Sequence, residues 1–75
     1  MGEMRWTPER MEQLEGAVRR RRRAILRRRG DEYVVIATGL TQARGRDALV
    51  GHLTMTGEDL VFVLDELDDF RVLDT

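Results

Sequence analysis

The sequence predicts an α+β fold: one N-terminal amphipathic helix followed by a five-stranded, strongly bent antiparallel sheet or small barrel. Three observations lead to this prediction. A capped stripe of apolar residues with helical period opens the chain, and short β-rich runs separated by glycine and acidic turns follow it. The chain has 75 residues, a length that favours a single small domain.

The predicted helix has a well-marked beginning. Thr7 is a favourable N-cap, and Pro8 suits the first helical position because its missing N–H would have no partner there. Met11, Leu14 and Val18 then recur at positions i, i+3 and i+7, which places them on one face of a helix. We therefore expect this face to pack against the rest of the protein.

The helix is expected to end within a run of arginines. The next positions of the apolar stripe after Val18 are Arg21 and Arg22, and a cluster of cations favours a helix C-terminus. We predict a helix at about residues 8–21. The alternative is one helix that continues to Arg29, since arginine and leucine both have good helix propensity.

Five short strands are predicted after the helix. The apolar triplet Ala24-Ile25-Leu26 starts the first strand, and Gly51 inside the third indicates a bend. A polar loop is expected at residues 41–46, and the continuous apolar run at residues 60–64 is typical of a central strand. The predicted strands are at about residues 23–29, 33–40, 47–55, 60–64 and 69–73. A helix followed by five such strands is the element order of Sm-like barrels.

Composition excludes several classes of function. The chain has no cysteine, so disulfides, thiolate nucleophiles and cysteine metal sites are absent. His52 is the single histidine, so a neutral strand histidine is expected rather than a metal ligand. No apolar run approaches the ~20 residues of a membrane span and no signal-peptide pattern is present, so a cytoplasmic location without membrane partners is expected.

No catalytic constellation is found in the sequence. Serine is absent as well as cysteine, and Thr38 and Thr41 have no partner base. The glycines lack the spacing of a phosphate-binding loop, and the acidic residues at 65–69 lack the pattern of a calcium-binding loop. We therefore expect a protein that is not an enzyme and that has no cofactor and no metal.

The formal net charge of −1 conceals a strong separation of charge. Residues 1–29 hold ten arginines and four glutamates, which sum to +6. Residues 30–56 hold two arginines and three acidic residues (−1), and residues 57–75 hold one arginine and seven acidic residues (−6). Because these charges nearly cancel, we favour pairing between the basic and acidic segments, within or between chains, over a free basic arm.

The arginines between residues 19 and 29 are the strongest candidate for a binding surface. Arginine offers several donors to phosphate, and aromatic residues such as Tyr33 stack on bases. If residues 23–29 form a strand, Arg27 and Arg29 face one way and Arg28 the other, which divides the basic patch. The candidate contacts with nucleic acid or another polyanion are Arg19, Arg20, Arg22, Arg23, Arg27, Arg28, Arg29 and Tyr33.

Several segments of the chain resemble a WYL domain, over roughly residues 15–74. The matching segments are Ala17–Arg19, Ile25–Arg27, Val35–Leu40, Leu49–Gly51, Phe62–Leu67 and Phe70–Leu73. The resemblance implies an Sm-like small barrel. It also implies a bacterial regulatory module, usually fused to a DNA-binding helix-turn-helix, that senses nucleotide or nucleic-acid ligands through a basic, aromatic pocket.

The chain departs from the WYL pattern where that pocket would be. Asp47-Ala48-Leu49 stands in place of the Trp-Tyr-Leu triplet, so only the leucine is kept. The arginines of the pocket align with Tyr33, Val63 and Glu66, and this loss of cations should remove an anion site there. We interpret the chain as a stand-alone, degenerate WYL-like domain, with one helix and no helix-turn-helix, that keeps the scaffold and not the pocket.

Two functions follow as hypotheses. The first is a non-catalytic binding or regulatory module that acts as a homo-oligomer or on a larger protein partner, because free sheet edges and complementary charges favour association. The alternative is a transcriptional or defence regulator that binds single-stranded nucleic acid or a nucleotide through Arg19–Arg29.

Overall fold

The structure is a computed structural model that describes residues 5–73. It confirms the α+β fold, with an N-terminal helix followed by a five-stranded antiparallel sheet. The elements are helix α1 at Pro8–Arg20, strands β1 at Arg23–Arg28, β2 at Asp31–Ala43, β3 at Arg46–Leu53 and β4 at Asp59–Val63, a 3₁₀ helix at Leu64–Glu66, and strand β5 at Asp69–Val72. Asp74, counted above in the acidic segment and in the WYL resemblance, lies outside the described residues.

Helix α1 begins as the sequence predicts. The Thr7 side chain accepts a hydrogen bond from the Arg10 backbone N–H at 3.2 Å, and proline follows the cap. Leu14 and Ala17 are buried on the face that packs against the sheet, with Met11 and Val18 beside them. This packing offsets the low helix propensity of the glycine at position 16.

The helix ends in a left-handed turn at Arg21, which has a φ of 52°. The Arg22 backbone N–H donates to the Ala17 carbonyl oxygen at 2.9 Å, which satisfies one of the last carbonyls of the helix. Strand β1 then begins two residues later, and the alternative helix that continues to Arg29 is not formed.

The strands follow the order β4-β3-β2-β1-β5, and every neighbouring pair is antiparallel. Strand β2 pairs with β1 along its first half and with β3 along its second half, and a shift in register between Ala37 and Gly39 marks a bulge that bends it. Within residues 5–73 the terminal strands β4 and β5 do not pair. The sheet is therefore open, and the predicted alternative of a closed barrel is not formed.

Two of the predicted strand assignments are wrong in detail. The apolar run at residues 60–64 corresponds to β4, which is a terminal strand and not a central one. Its apolar residues do not all enter the core, since Val61 is 48% exposed. The polar residues Thr41 and Gln42 belong to β2 and not to a loop, because they pair with the first residues of β3.

One side of the sheet forms the core together with α1. The buried core residues are Leu14, Ala17, Ala24, Leu26, Val35, Ala37, Leu49, Phe62, Leu64, Leu67 and Phe70. At one end of this core the Trp6 indole N–H donates to the Leu64 carbonyl oxygen at 2.8 Å. The centres of the Trp6 and Phe70 rings are 5.6 Å apart. The N-terminal segment is thereby tied to the connection between β4 and β5.

Gly51 allows a direct test of this packing. A Cβ atom at position 51 would lie 3.0 Å from two Val35 side-chain atoms and 3.2 Å from the Phe62 ring. We expect Gly51→Ala to lower the free energy of unfolding by about 1–3 kcal/mol, because a close-packed core must shift to admit the methyl group. Urea denaturation followed by circular dichroism measures the change.

Gly39→Ala is the matched control for this prediction. Gly39 also lies in the sheet, but no atom lies within 4 Å of a Cβ built there, so the same added methyl group should leave stability nearly unchanged. Equal losses in the two variants would contradict the packing described for Gly51.

Candidate anion-binding cleft

The turn at Arg21 divides the arginines of the sequence into two groups. Arg19 and Arg20 lie exposed on the last turn of α1, whereas Arg28 and Arg29 lie at the far end of β1. Six residues of extended strand separate the groups by about 17 Å. The arginines, which Ala24-Ile25-Leu26 already interrupts in the sequence, therefore lie in separate basic regions in space.

The side chains of β1 alternate between the two faces of the sheet. Ala24 and Leu26 point into the core, and Arg28 follows them on the same face. Arg27 is exposed on the opposite face, where Glu32 of β2 and Asp69 of β5 are its partners in register. Arg23 is also exposed on that face.

Arg28 and Tyr33 meet in a cleft of about 500 Å³. The residues that line it are Arg28, Arg29, Asp31, Tyr33, Ala43, Arg44, Arg46, Val61, Val63 and Glu66. They come from the adjoining ends of β1, β2 and β3, from the two hairpin turns between these strands, from β4 and from the 3₁₀ helix, which are distant in sequence. We call this site the arginine cleft, and it lies beside the terminal strand β4.

Arg28 is held in the cleft by aromatic rings. Its guanidinium carbon lies 5.4 Å from the centre of the Tyr33 ring and 4.9 Å from the centre of the Phe62 ring. The two rings are in edge-to-face contact, with their centres 5.2 Å apart. Such cation–π contacts contribute about 0.5–2 kcal/mol and leave the guanidinium N–H groups available to an anion.

Two further arginines reach the cleft from hairpin turns. Arg29-Gly30 joins β1 to β2 and Arg44-Gly45 joins β2 to β3, and both are two-residue turns in which each residue has a positive φ. Arg29 has a φ of 54° and Arg44 a φ of 55°. The first position of such a turn favours asparagine, aspartate or glycine, so an arginine there costs conformational energy.

The carboxylates near the cleft are fewer than its cations. Arg28, Arg29, Arg44 and Arg46 line it with Asp31 and Glu66, which gives four positive and two negative charges. In addition, Arg46 Nη2 lies 3.4 Å from Asp65 Oδ2. The lining therefore carries a formal charge of +2 and favours anions.

Within residues 5–73, ion pairs between the basic and acidic segments are few. Arg22 has an interaction of its own, but the other arginines between 19 and 29 form no ion pair with a carboxylate within residues 5–73. Elsewhere in residues 5–73, His52 Nδ1 lies 2.8 Å from Asp59 Oδ1. The arginines that are exposed to solvent or to another molecule are Arg19, Arg20, Arg21, Arg23, Arg27 and Arg29.

The structure separates the residues predicted as one binding surface. Arg28, Arg29 and Tyr33 line the arginine cleft, whereas Arg19, Arg20 and Arg22 lie along α1 and β5. Arg23 borders a third concavity beside Ile36, which Arg20, Arg21 and Arg22 also line, and Arg27 stands on the outer face of β1. Sequence reasoning missed Arg44 and Arg46, although the repeated Arg-Gly pair at both turns was a signal for them.

The positions aligned with the WYL pocket also lie in this cleft. Tyr33, Val63 and Glu66 all line it. Because these residues stand in place of arginines, the sequence predicts no anion site here. Arginines from the two hairpin turns and from the ends of β1 and β3 nevertheless line the same cleft.

Comparison with protein-family models, with curated proteins and with solved structures finds no match to this chain. The WYL resemblance therefore stays a prediction. No helix within residues 5–73 is long and apolar enough to cross a membrane. The same residues contain no group of three or more side chains that would hold a metal ion.

Proposed function

We propose that this protein is a non-catalytic binding module that holds single-stranded nucleic acid in the arginine cleft. The observation that carries this proposal is the convergence of four arginines on one cleft beside Tyr33. Arginine binds phosphate oxygens through pairs of parallel N–H groups, and it stays charged at every physiological pH. A regulatory role in the cytoplasm belongs to the same proposal, and the WYL resemblance supports it.

The stack of Arg28 on Tyr33 suits the base of such a ligand. Bases of single-stranded nucleic acids stack on aromatic rings and on the planes of arginine guanidinium groups. A base placed against Arg28 would extend the stack that this residue already forms with Tyr33. The phosphates on either side would then meet Arg29 and Arg44 at the two turns.

A titration with a fluorescent single-stranded oligonucleotide tests this proposal. We expect the double variant Arg29→Ala plus Arg44→Ala to weaken binding about tenfold or more at 50 mM salt. The slope of log affinity against log salt should become shallower by about 1.4, since each lost phosphate contact removes about 0.7 for a single strand. Fluorescence anisotropy measures both quantities.

The variant Arg19→Ala plus Arg20→Ala removes the same charge from the other basic region and is the matched control. It should retain most of the affinity. Equal weakening by both pairs would show that binding depends on total charge, and the absence of binding at 50 mM salt would refute the proposal. A mononucleotide that binds as tightly as the oligonucleotide would identify a nucleotide site instead of a strand site.

Self-association as a homo-oligomer, or binding to a larger protein partner, is the second candidate function. It is favoured by β4, which pairs with β3 alone among the described strands and carries Val61, an apolar residue 48% exposed, near its centre. Terminal strands with free N–H and C=O groups readily pair with another chain.

Light scattering during size-exclusion chromatography tests this second candidate. We expect a mass above the 8.7 kDa of one chain at low salt and at about 0.5 M salt, because strand pairing is less sensitive to salt than charge attraction. Val61→Lys should give a monomer. Met55→Lys makes the same change at a residue that is 91% exposed in the β3–β4 connection and should not alter the mass. A wild-type monomer at both salt concentrations would exclude self-association.

A further inference from the structure

A second basic concavity, of about 650 Å³, lies between helix α1 and strand β5. We call it the helix–strand groove. It shares no lining residue with the arginine cleft, so its role is independent of the function proposed above. Gly16 and Gln13 of α1 face Phe70 and Val72 of β5 across it.

One side of the groove is a strand with a free edge. Strand β5 is the last strand of the sheet and pairs with β1 alone among the described strands. The N–H and C=O groups along its other edge match the spacing of an extended peptide, which would join the sheet as a sixth strand.

The other side of the groove contains a glycine that the fold does not require. A Cβ atom at Gly16 would meet nothing closer than Arg19 Nη2 at 3.9 Å. Glycine costs about 1 kcal/mol relative to alanine inside a helix, and no neighbouring side chain among the described residues is close enough to require a glycine at this position. Because Gly16 has no side chain, it leaves room on the helix surface for a peptide that lies along β5.

The positive charges that line the groove favour an acidic peptide. Arg19, Arg20 and Arg71 line it, with Glu12 as an opposing carboxylate. Nucleic acid is disfavoured here because the groove lacks an open ring for base stacking: its aromatic residue, Phe70, is only 5% exposed.

We propose that the helix–strand groove binds an acidic, extended segment of a partner protein. The segment pairs with β5, its apolar residues face the helix over Gly16 and Val72, and its carboxylates lie on the face of Arg71, while Arg19 and Arg20 of the groove add positive charge nearby. Alternating acidic and apolar residues fit this arrangement, because successive side chains of a strand point to opposite faces.

A labelled peptide of alternating aspartate and valine, about eight residues long, is the probe. We expect saturable binding to the full chain by fluorescence anisotropy, and protection of the β5 amides from hydrogen exchange. A peptide with lysine in place of aspartate should not bind. Absence of binding by the acidic peptide, or equal binding of the two peptides, would overturn the proposal.

Gly16→Leu separates binding from folding. Leucine has a much better helix propensity than glycine, so the thermal midpoint should hold or rise, while its side chain obstructs the groove and weakens peptide binding about tenfold. Glu15→Leu, on the neighbouring exposed position outside the groove, is the control and should retain binding.

Three results with these variants would overturn the proposal. The first is unchanged peptide affinity in Gly16→Leu. The second is competition by an unlabelled single-stranded oligonucleotide whose own binding is lost in Gly16→Leu, which would identify nucleic acid as the occupant. The third is a wild-type oligomer that Gly16→Leu converts to a monomer without peptide, which would identify a second copy of the chain.

Discussion

The tight turn at Arg21 is the constraint on which the rest of the structure depends. Its left-handed conformation ends α1 and lets β1 begin at Arg23, so that the helix folds back over the sheet. The turn is held from both sides, since the Arg22 N–H bonds to Ala17 in the helix and the Arg22 carbonyl oxygen accepts from the Ala37 N–H in β2 at 3.0 Å. The same turn separates the arginines of the helix from those of the strand, and each group acquires different neighbours.

Because the sheet is open, the arginines of the helix and those of the strand lie on distinct surfaces. Because β4 and β5 do not pair within residues 5–73, one basic concavity lies beside each terminal strand. In the arginine cleft, the left-handed residues Arg29 and Arg44 occupy turn positions that seldom suit arginine, and strain of this kind is common at functional sites. A small fold with little core thus presents two basic surfaces of different chemistry: one combines arginines with an aromatic stack, and the other combines arginines with a free strand edge.

The sequence predicts the fold well because its signals are local. The proline and the apolar stripe give a helix at Pro8–Arg20 against the predicted 8–21, and the apolar runs locate all five strands. The predicted β2 ends too early because Thr41 and Gln42 are polar and look like loop residues. In the structure they belong to the strand because they pair with β3. The site is predicted less well. Arg44 and Arg46 are remote from Arg28 in sequence, and only the bend of the sheet brings the β2–β3 turn to the end of β1.

Nuclear magnetic resonance distinguishes separate arginine sites from one continuous basic surface. Amide and arginine Nε–H shifts would be recorded while a single-stranded oligonucleotide is added to the isotope-labelled chain. We expect shift changes in the two Arg-Gly turns, at Tyr33 and along β4, with Arg19 and Arg20 unchanged. Equal changes at every arginine, or changes centred on the C-terminal turn of α1, would contradict it.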